Sequence, residues 1–314
     1  MGTRFAPSAS QSSKKVPDIL RLPSSLLPGN LCAAVPMAVR FLDDVIELNR
    51  YPDPRLAVMA RNNRKIGLGV MGFADLLIEL GICYASREAR ETGRQLMRFI
   101  AEEARAASRQ LADERGAFPN YKSSIHASSR EPRRNATLLS IAPTGTLSIL
   151  AGTSASIEPL FAVGYRRTHV LSGGSLTEIH PLFLAYLERR GLRSDSLLAE
   201  VLAKGRLAEV EGLPEEVRQL FITSLEIAPE QHIAVQAAFQ ESVDNAVSKT
   251  VNLPVTASRE IVAGVYRLAW QKRLKGVTIF RYGSKGSQVF ELGVGQEAYE
   301  REHFVSCDPQ ECRL

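Results

Sequence analysis

Between Ser86 and Arg115 the chain carries an apolar stripe, Leu96, Ile100, Ala104, Ala107 and Leu111, at steps of three and four, with Gly116 directly after it. That spacing places all five residues on one face of a single long helix, and the face must be buried along its length. Short apolar runs on either side read as strands: Lys65–Val70, Ala136–Ala142, Leu160–Leu171, Val247–Leu253, Gly276–Arg281 and Gln288–Leu292. Between them, helical periodicity covers Phe73–Leu80 and residues 181–190, 195–204, 214–225, 229–242 and 261–272. Trp270 in the last of these is expected in the core. An earlier helix starts near Val35, its stripe formed by Ala38, Phe41, Leu42, Val45 and Leu48, and Tyr51-Pro52-Asp53-Pro54 stops it. Strands alternating with helices give an α/β class. Residues 1–34 are rich in Ser, Pro and Lys and predict a disordered or extended segment. Residues 35–292 form the folded part, and 293–314, without apolar period, a flexible arm.

An apolar share of 45% and a charged share of 23% are ordinary globular values, which excludes disorder throughout. No apolar stretch approaches the roughly 20 residues that span a bilayer, so a membrane role is not expected. Lys and Arg total 39 against 34 Asp and Glu, and the excess of +5 is interspersed with acids through most of the chain. That pattern makes a nucleic-acid groove a weak reading, and a site for a phosphorylated small molecule fits it equally well. Four cysteines, Cys32, Cys83, Cys307 and Cys312, are too few for a secreted disulfide scaffold. A reducing compartment, the cytoplasm, is the expected setting.

Three motifs carry chemical meaning. Gly67-Leu68-Gly69-Val70-Met71-Gly72 matches G-x-G-x-x-G between a strand and a helix. The acid that would confirm a dinucleotide site about 20 residues on is missing, and tight strand-to-helix packing accounts for the glycines better. Pro143-Thr144-Gly145-Thr146-Leu147-Ser148 follows a buried strand. Gly145 would allow positive φ and close backbone approach, and the hydroxyls of Thr144, Thr146 and Ser148 add donors. Taken alone, the segment suits either an ordinary loop or a phosphate site, and it lacks the lysine of an NTPase loop. Cys307-Asp308-Pro309-Gln310-Glu311-Cys312 places two thiols where a small disulfide ring can close on a mobile arm. Zinc would need two further ligands at a spacing the chain does not offer. Asp43 and Asp44 could serve as an acid–base pair, but a solvated helix face is the expected reading. His169 and His180 flank a Gly-rich turn and are expected to be structural.

Several stretches together resemble one family. They are Ala38–Ile46 (AVRFLDDVI), Asn63–Asp75 (NRKIGLGVMGFAD), Arg134–Thr137, Ile141–Thr146, Ser156–Phe161 (SIEPLF), Asp244–Thr250 (DNAVSKT) and Lys275–Thr278. In that order they are similar to the large chain of ribonucleotide reductase of the adenosylcobalamin-dependent class, over about residues 35–285. The resemblance implies the C-terminal half of a ten-stranded α/β barrel, incomplete on its own. It implies thiyl-radical reduction of a ribonucleotide substrate with adenosylcobalamin as cofactor. Pro143, Thr144, Gly145, Thr146, Leu147 and Ser148 would hold the substrate phosphates. Cys32 would match one member of the active-site cysteine pair. Cys307 and Cys312 would form the arm dithiol, renewed by a thioredoxin-like protein.

The chain departs from the family where the radical forms. It has no Asn-x-Cys-x-Glu, and counting back from Cys32 puts Arg21 and Pro23 where the radical cysteine and the glutamate belong. The N-terminal half of the family has no counterpart. The expectation is a chain inactive alone, needing an N-terminal half or a second copy. The alternative is a non-catalytic nucleotide-binding or interaction module, a degenerate reductase remnant.

Overall fold

The computed structural model describes residues 28–170, 174–284 and 290–292. Its helices are α1 (Pro28–Leu48), α2 (Pro54–Asn63), α3 (Phe73–Glu79), α4 (Arg87–Arg115), α5 (Gly145–Ala151), α6 (Pro181–Arg190), α7 (Asp195–Lys204), α8 (Glu215–Leu220), α9 (Pro229–Gln240) and α10 (Arg259–Gln271). The strands are β1 (Gly164–Val170), β2 (Gly174–Ile179), β3 (Thr250–Leu253), β4 (Thr278–Arg281) and β5 (Phe290–Leu292).

The long helix is the central beam. Ser86 caps α4 by accepting the Ala89 N–H at 3.0 Å, and Gly116 ends it at φ 83°. All five predicted stripe residues are buried. α1 and α9 pack against α4. Gly93 lets α9 come close, since a Cβ there would stand 2.4 Å from the Phe239 ring.

Four parallel segments make an arc in chain order. Leu68 bridges Leu139, Ile141 bridges Val247, and β3 pairs β4 in register from Thr250↔Thr278 to Leu253↔Arg281. Each crossover between them is helical, as parallel pairing demands. Among the described residues, neither outer segment pairs with a further strand. The arc is therefore an incomplete barrel wall. A separate antiparallel sheet, in the order β2-β1-β5, takes β1 and β2 from the crossover between the second and third segments and β5 from beyond the fourth.

Two of the expected strands, Lys65–Val70 and Ala136–Ala142, are bridged at single residues rather than laddered. Backbone bonds from the Ile66 N–H to the Thr137 carbonyl (3.1 Å), the Leu68 N–H to the Leu138 carbonyl (2.8 Å) and the Ser140 N–H to the Leu68 carbonyl (3.0 Å) join them, and side chains reinforce the pairing. Asp244 accepts the N–H groups of Leu138 (2.8 Å) and Leu139 (3.1 Å). Asn245 Nδ2 donates to the carbonyls of Leu139 (3.0 Å) and Ile66 (3.2 Å).

Several expectations are corrected. α1 begins at Pro28, so residues 28–34 are helical rather than extended. Its buried side is Val35, Val39 and Ile46, whereas Phe41, Val45 and Leu48 face outward at 65%, 40% and 82% exposure. Both faces of α1 are apolar, so periodicity alone picks the wrong one. Asp43 belongs to the buried side and is fully enclosed, not solvated; Asp44 is the exposed acid. Trp270 is 79% exposed, because Val265 and Ala269 form the inner face of α10. The expected helix 214–225 is confined to α8, and the strand β2 was not anticipated.

The three glycines of Gly67–Gly72 mark close approach. A Cβ on Gly67 would lie 2.9 Å from the Ser140 Cβ, and one on Gly69 would lie 2.2 Å from the Ser140 carbonyl oxygen. Gly72 sits at φ 79°, where a Cβ would lie 2.5 Å from Thr153 Oγ1. Packing, not a dinucleotide, explains them. Gly69→Ala is expected to cost about 1–3 kcal/mol, since backbone must move to admit the methyl. Gly145→Ala, with nothing within 4 Å of its Cβ position, should leave stability within about 0.5 kcal/mol of the parent. Urea denaturation of the two variants checks the contrast.

Candidate phosphate-binding loop and its buried supports

The segment Pro143–Ser148 leaves the second parallel segment of the arc and starts α5. Thr144 caps the helix in the left-handed region, φ 49° and ψ 27°, an unusual place for a β-branched residue. The positive φ expected of Gly145 thus falls one residue earlier. A short tie holds the strain: the Ser156 N–H donates to Thr144 Oγ1 at 2.7 Å, and Ser156 is itself left-handed at φ 49°. Such strain persists only where surrounding structure over-determines it, and it clusters at ligand sites.

The first turn of α5 presents the N–H groups of Gly145, Thr146 and Leu147 on exposed residues, while the Ser148 N–H is used by the Thr144 carbonyl at 2.8 Å. Ser148 is buried, its hydroxyl donating to the Gly145 carbonyl at 3.0 Å. Pro143 is exposed and Thr144 half-buried. Free amides at a helix start suit an anion. The loop carries no Cys, His, Asp or Glu, so it can hold a phosphate but cannot move a proton or an electron.

The far side of the loop is anchored by Asp75. Its Oδ2 accepts from Thr153 Oγ1 and from the Ser154 N–H, both at 2.7 Å, and His180 Nε2 stands 3.4 Å from Oδ1. Burial would raise the Asp75 carboxyl, but His180, Thr153 and Ser154 outweigh it and hold the group below the usual carboxylate range. The Gly72 N–H reaches the Ser154 carbonyl at 2.8 Å. The G-x-G-x-x-G segment is therefore the mould against which the phosphate loop is set. His180 fits the structural role expected of it; the side chain of His169 lies outside the described residues.

Beside the loop runs a buried ionic cluster. Lys249 Nζ donates to Glu158 Oε2 at 2.6 Å, to the Thr250 carbonyl at 2.6 Å and to His232 Nδ1 at 2.9 Å. His232 Nε2 meets the Ser224 carbonyl at 3.0 Å, which fixes the neutral Nε2–H tautomer. Burial first, and the Lys249 charge second, pull the His232 imidazole down to about 3. Burial also draws the Lys249 ammonium below its ordinary value, against the pull of Glu158. The cluster joins the Ser156–Phe161 stretch to the Asp244–Thr250 stretch.

A second buried hub centres on Asp43. It takes Arg64 Nε at 2.8 Å, Asn135 Nδ2 at 2.9 Å, Arg134 Nε at 3.2 Å and Arg115 Nη1 at 3.3 Å. Burial would raise its carboxyl, but Arg64 and Arg134 prevail and hold it below the usual range. Sequence reasoning assigned no role to Asp75, Glu158, Lys249, His232 or Asn135. One signal was available: Val247, Lys249, Val251 and Leu253 alternate along a strand, so the lysine shares the inward face with three buried aliphatics.

The remaining candidate residues are dispersed. Cys32 is exposed on α1, an element that packs on α4 and α2. Cys83 is half-buried in the connection from α3 to α4. Cys307 and Cys312 lie outside the described residues. Among the described residues, no group of three His, Cys, Asp or Glu is placed to hold a metal ion, and no helix is long and apolar enough to cross a membrane.

Comparison with known proteins matches this architecture. The chain is 51% identical over 253 residues to a vitamin B12-dependent ribonucleoside-diphosphate reductase of Mycobacterium tuberculosis (strain CDC 1551 / Oshkosh), covering 81% of this chain and 36% of that protein. It is 46% identical over 259 residues to the protein of the same name from Thermoplasma acidophilum, covering 82% of this chain and 34% of the relative. The chain thus spans about a third of the length of these relatives. The Actinobacillus ureae class Id ribonucleotide reductase alpha subunit superposes with a TM-score of 0.70 at 24% identity, over 82% of this chain and 47% of that one, which bears on the fold. The family model for the ribonucleotide reductase barrel domain matches residues 28–133 and 126–280, a span that includes the arc, the loop and both buried hubs, and the chain therefore belongs to the ribonucleotide reductase family.

Proposed function

We propose that this chain is the C-terminal barrel portion of a B12-dependent ribonucleotide reductase and supplies the substrate-phosphate loop to a larger assembly. The observation that carries this reading is the strained, doubly anchored Thr144 at the mouth of an incomplete barrel wall, with three unused amides beside it. Pro143–Ser148 binds the phosphates of a ribonucleotide, a diphosphate by analogy with the names of the relatives. The reduced active-site pair, of which Cys32 is the proposed member in this chain, gives two electrons and two protons to the ribose, whose 2′-hydroxyl leaves as water, and becomes a disulfide. The Cys307/Cys312 arm dithiol reduces that disulfide and itself closes to one. A thioredoxin-like dithiol then reopens the ring. The proposed setting is the cytoplasm, where reduced thiols persist.

Adenosylcobalamin would supply the radical in the assembled enzyme. The donor set of this chain does not fit it. Positions 21 and 23, where the radical cysteine and the glutamate would fall, hold arginine and proline. The thiyl cysteine lies outside the residues of this sequence, so no step described for this chain runs through the cofactor.

The test is reconstitution. The chain is mixed with the N-terminal portion of a B12-dependent reductase carrying Asn-x-Cys-x-Glu, adenosylcobalamin and a labelled ribonucleotide. Deoxyribonucleotide should form only in the mixture. Cys307→Ser should abolish multiple turnover with thioredoxin and spare turnover with a small dithiol; equal loss with both would refute the arm assignment. The missing radical motif favours a second reading, a nucleotide-binding remnant. That reading predicts nucleotide binding by the chain and no product from any mixture.

A further inference from the structure

The outer face of α10 differs in character from the rest of the surface. Tyr266 and Trp270, one turn apart, are 54% and 79% exposed. Arg259 lies two turns before Tyr266 and Arg273 just beyond Trp270, so the line along the helix reads cation, aromatic, aromatic, cation. Only the small Ala263 stands between Arg259 and Tyr266, and Arg267 flanks the line. Across residues 254–284 the charges are Arg259, Arg267, Lys272, Arg273, Lys275 and Arg281 against Glu260 alone, and Glu260 is turned back to Ser258 at the helix start. Charge that is interspersed over most of the chain is here gathered in one sign. Among the described residues, the side chains of Arg259, Arg267 and Arg273 have no hydrogen-bond or ion-pair partner. Elsewhere in the molecule guanidinium groups are largely paired, as at Arg40, Arg64, Arg94 and Arg115.

The face is braced from behind. Val265 and Ala269 pack with Ile233, Val251 and Leu253 in a core of their own, where α10 meets α9. Tyr266 and Trp270 therefore project from a backbone that is already fixed, and a ligand that lies on them orders little else. The two residues stand about 6 Å apart along the axis, too far for their rings to close on each other as a parallel stack, so each keeps a ring face for a ligand. The line from Arg259 to Arg273 is about 20 Å long, which a strand of a few nucleotides covers.

We infer that the outer face of α10 binds single-stranded nucleic acid, with bases stacked on Tyr266 and Trp270 and phosphates paired with Arg259, Arg267 and Arg273. A cationic row interleaved with exposed rings meets both needs of such a strand at once, since the phosphates neutralise the unpaired guanidinium groups and the bases cover the rings. A duplex would satisfy the cations but keep its base faces inside its own stack. An acidic peptide would also pair with the cations while leaving both ring faces without a stacking partner. A membrane surface calls for a longer apolar stripe than two rings separated from Arg259 by an alanine. The binding is independent of the phosphate loop at Pro143–Ser148 and of any reductase chemistry.

Trp270 is the single tryptophan of the 314 residues, so its fluorescence reads this face alone. The full chain is titrated with a short oligothymidylate while Trp270 quenching is followed, and in parallel with the end-labelled strand while its anisotropy is followed. Both signals should saturate together at low ionic strength, and the logarithm of the affinity should fall linearly with the logarithm of salt concentration. Tyr266→Ala should weaken binding by about ten-fold, the loss of one stacked base. Arg267→Glu with Arg273→Glu should weaken it further and flatten the salt dependence, since two phosphate contacts are gone. All three positions are exposed, so the circular dichroism of both variants should match the parent. No saturable binding by the parent would overturn the inference. So would binding that both variants leave unchanged, or that an excess of a ribonucleoside diphosphate displaces, which would place the strand at the phosphate loop. Equal affinity for the duplex would remove the stacking and overturn it. Equal quenching by polyglutamate or by phosphatidylserine vesicles would assign the face to an acidic peptide or a lipid surface and overturn it as well.

Discussion

Asp43→Ala should destabilise the chain by about 3–5 kcal/mol, because it strands buried cations without an anion. The Arg64 side chain is 3% exposed and the Asp43 side chain 0%. Glu47, the other acid that Arg64 reaches, is half exposed and on the outer edge. Removing Asp43 therefore leaves Arg64 paired on one side only, with Arg134 and Arg115 turned toward the same gap. Asn135 Nδ2 also loses an acceptor, keeping only the Arg64 carbonyl at 3.1 Å. Asp44→Ala is the matched control. Its carboxylate is 44% exposed and pairs only with Arg115, so a loss of about 0–1 kcal/mol is expected. Urea denaturation followed by circular dichroism separates the two.

The pH dependence has a definite sign. The Asp43 carboxyl titrates lower in the folded chain than in the unfolded one. Its stabilisation is therefore fully present above the unfolded value of about 3.9, and it is lost as pH falls through the folded value. The parent should show an acid limb below about pH 4 that is reduced in Asp43→Ala. An unchanged acid limb would mean that other carboxylates, Asp75 among them, dominate.

The same hub shows how much could be read from sequence. The stripe on α4 was legible because only one of its faces is apolar and long-range packing agrees with it. The glycines at 67, 69 and 72 were legible as packing residues because the confirming acid of a dinucleotide site was missing. Helix α1 was misread because Met37, Phe41, Val45 and Leu48 form an outward stripe that competes with Val35, Val39 and Ile46. Trp270 was misread for a related reason, since an aromatic on an amphipathic helix is normally core. The residues that set the phosphate loop were invisible for a different reason. Asp75 reaches residues 153 and 154, and Asp43 reaches 134 and 135, across separations that no local pattern records. The loop itself was quoted from its residues, yet its strain at Thr144 rather than Gly145 depends on the tie to Ser156.

The buried cluster at Lys249 allows a sharper test, because its two charges are buried to different degrees. Lys249 is fully enclosed, whereas the Glu158 side chain keeps 23% exposure. Glu158→Gln leaves an enclosed ammonium with only neutral acceptors and should cost about 3–5 kcal/mol. Lys249→Met leaves a carboxylate that water can reach and that still holds the Thr250 N–H at 2.7 Å, so it should cost less. The double variant should be more stable than the sum of the two losses implies, because neither orphan charge remains. His232 reports on the site independently. Held down to about 3 by burial and by Lys249, its imidazole stays neutral in the folded chain where the unfolded chain takes up a proton. Stability should therefore fall as pH drops from about 6.5 toward 3, by up to about 1.4 kcal/mol per pH unit from this group. In Lys249→Met the repulsion disappears and the His232 titration should move upward, though burial, the larger cause, remains. A ring-nitrogen NMR titration of His232 would show that move. If the titration stayed in place while Lys249→Met lost stability, the lysine would be acting through its bonds to Glu158 and Thr250 rather than through its charge on the histidine.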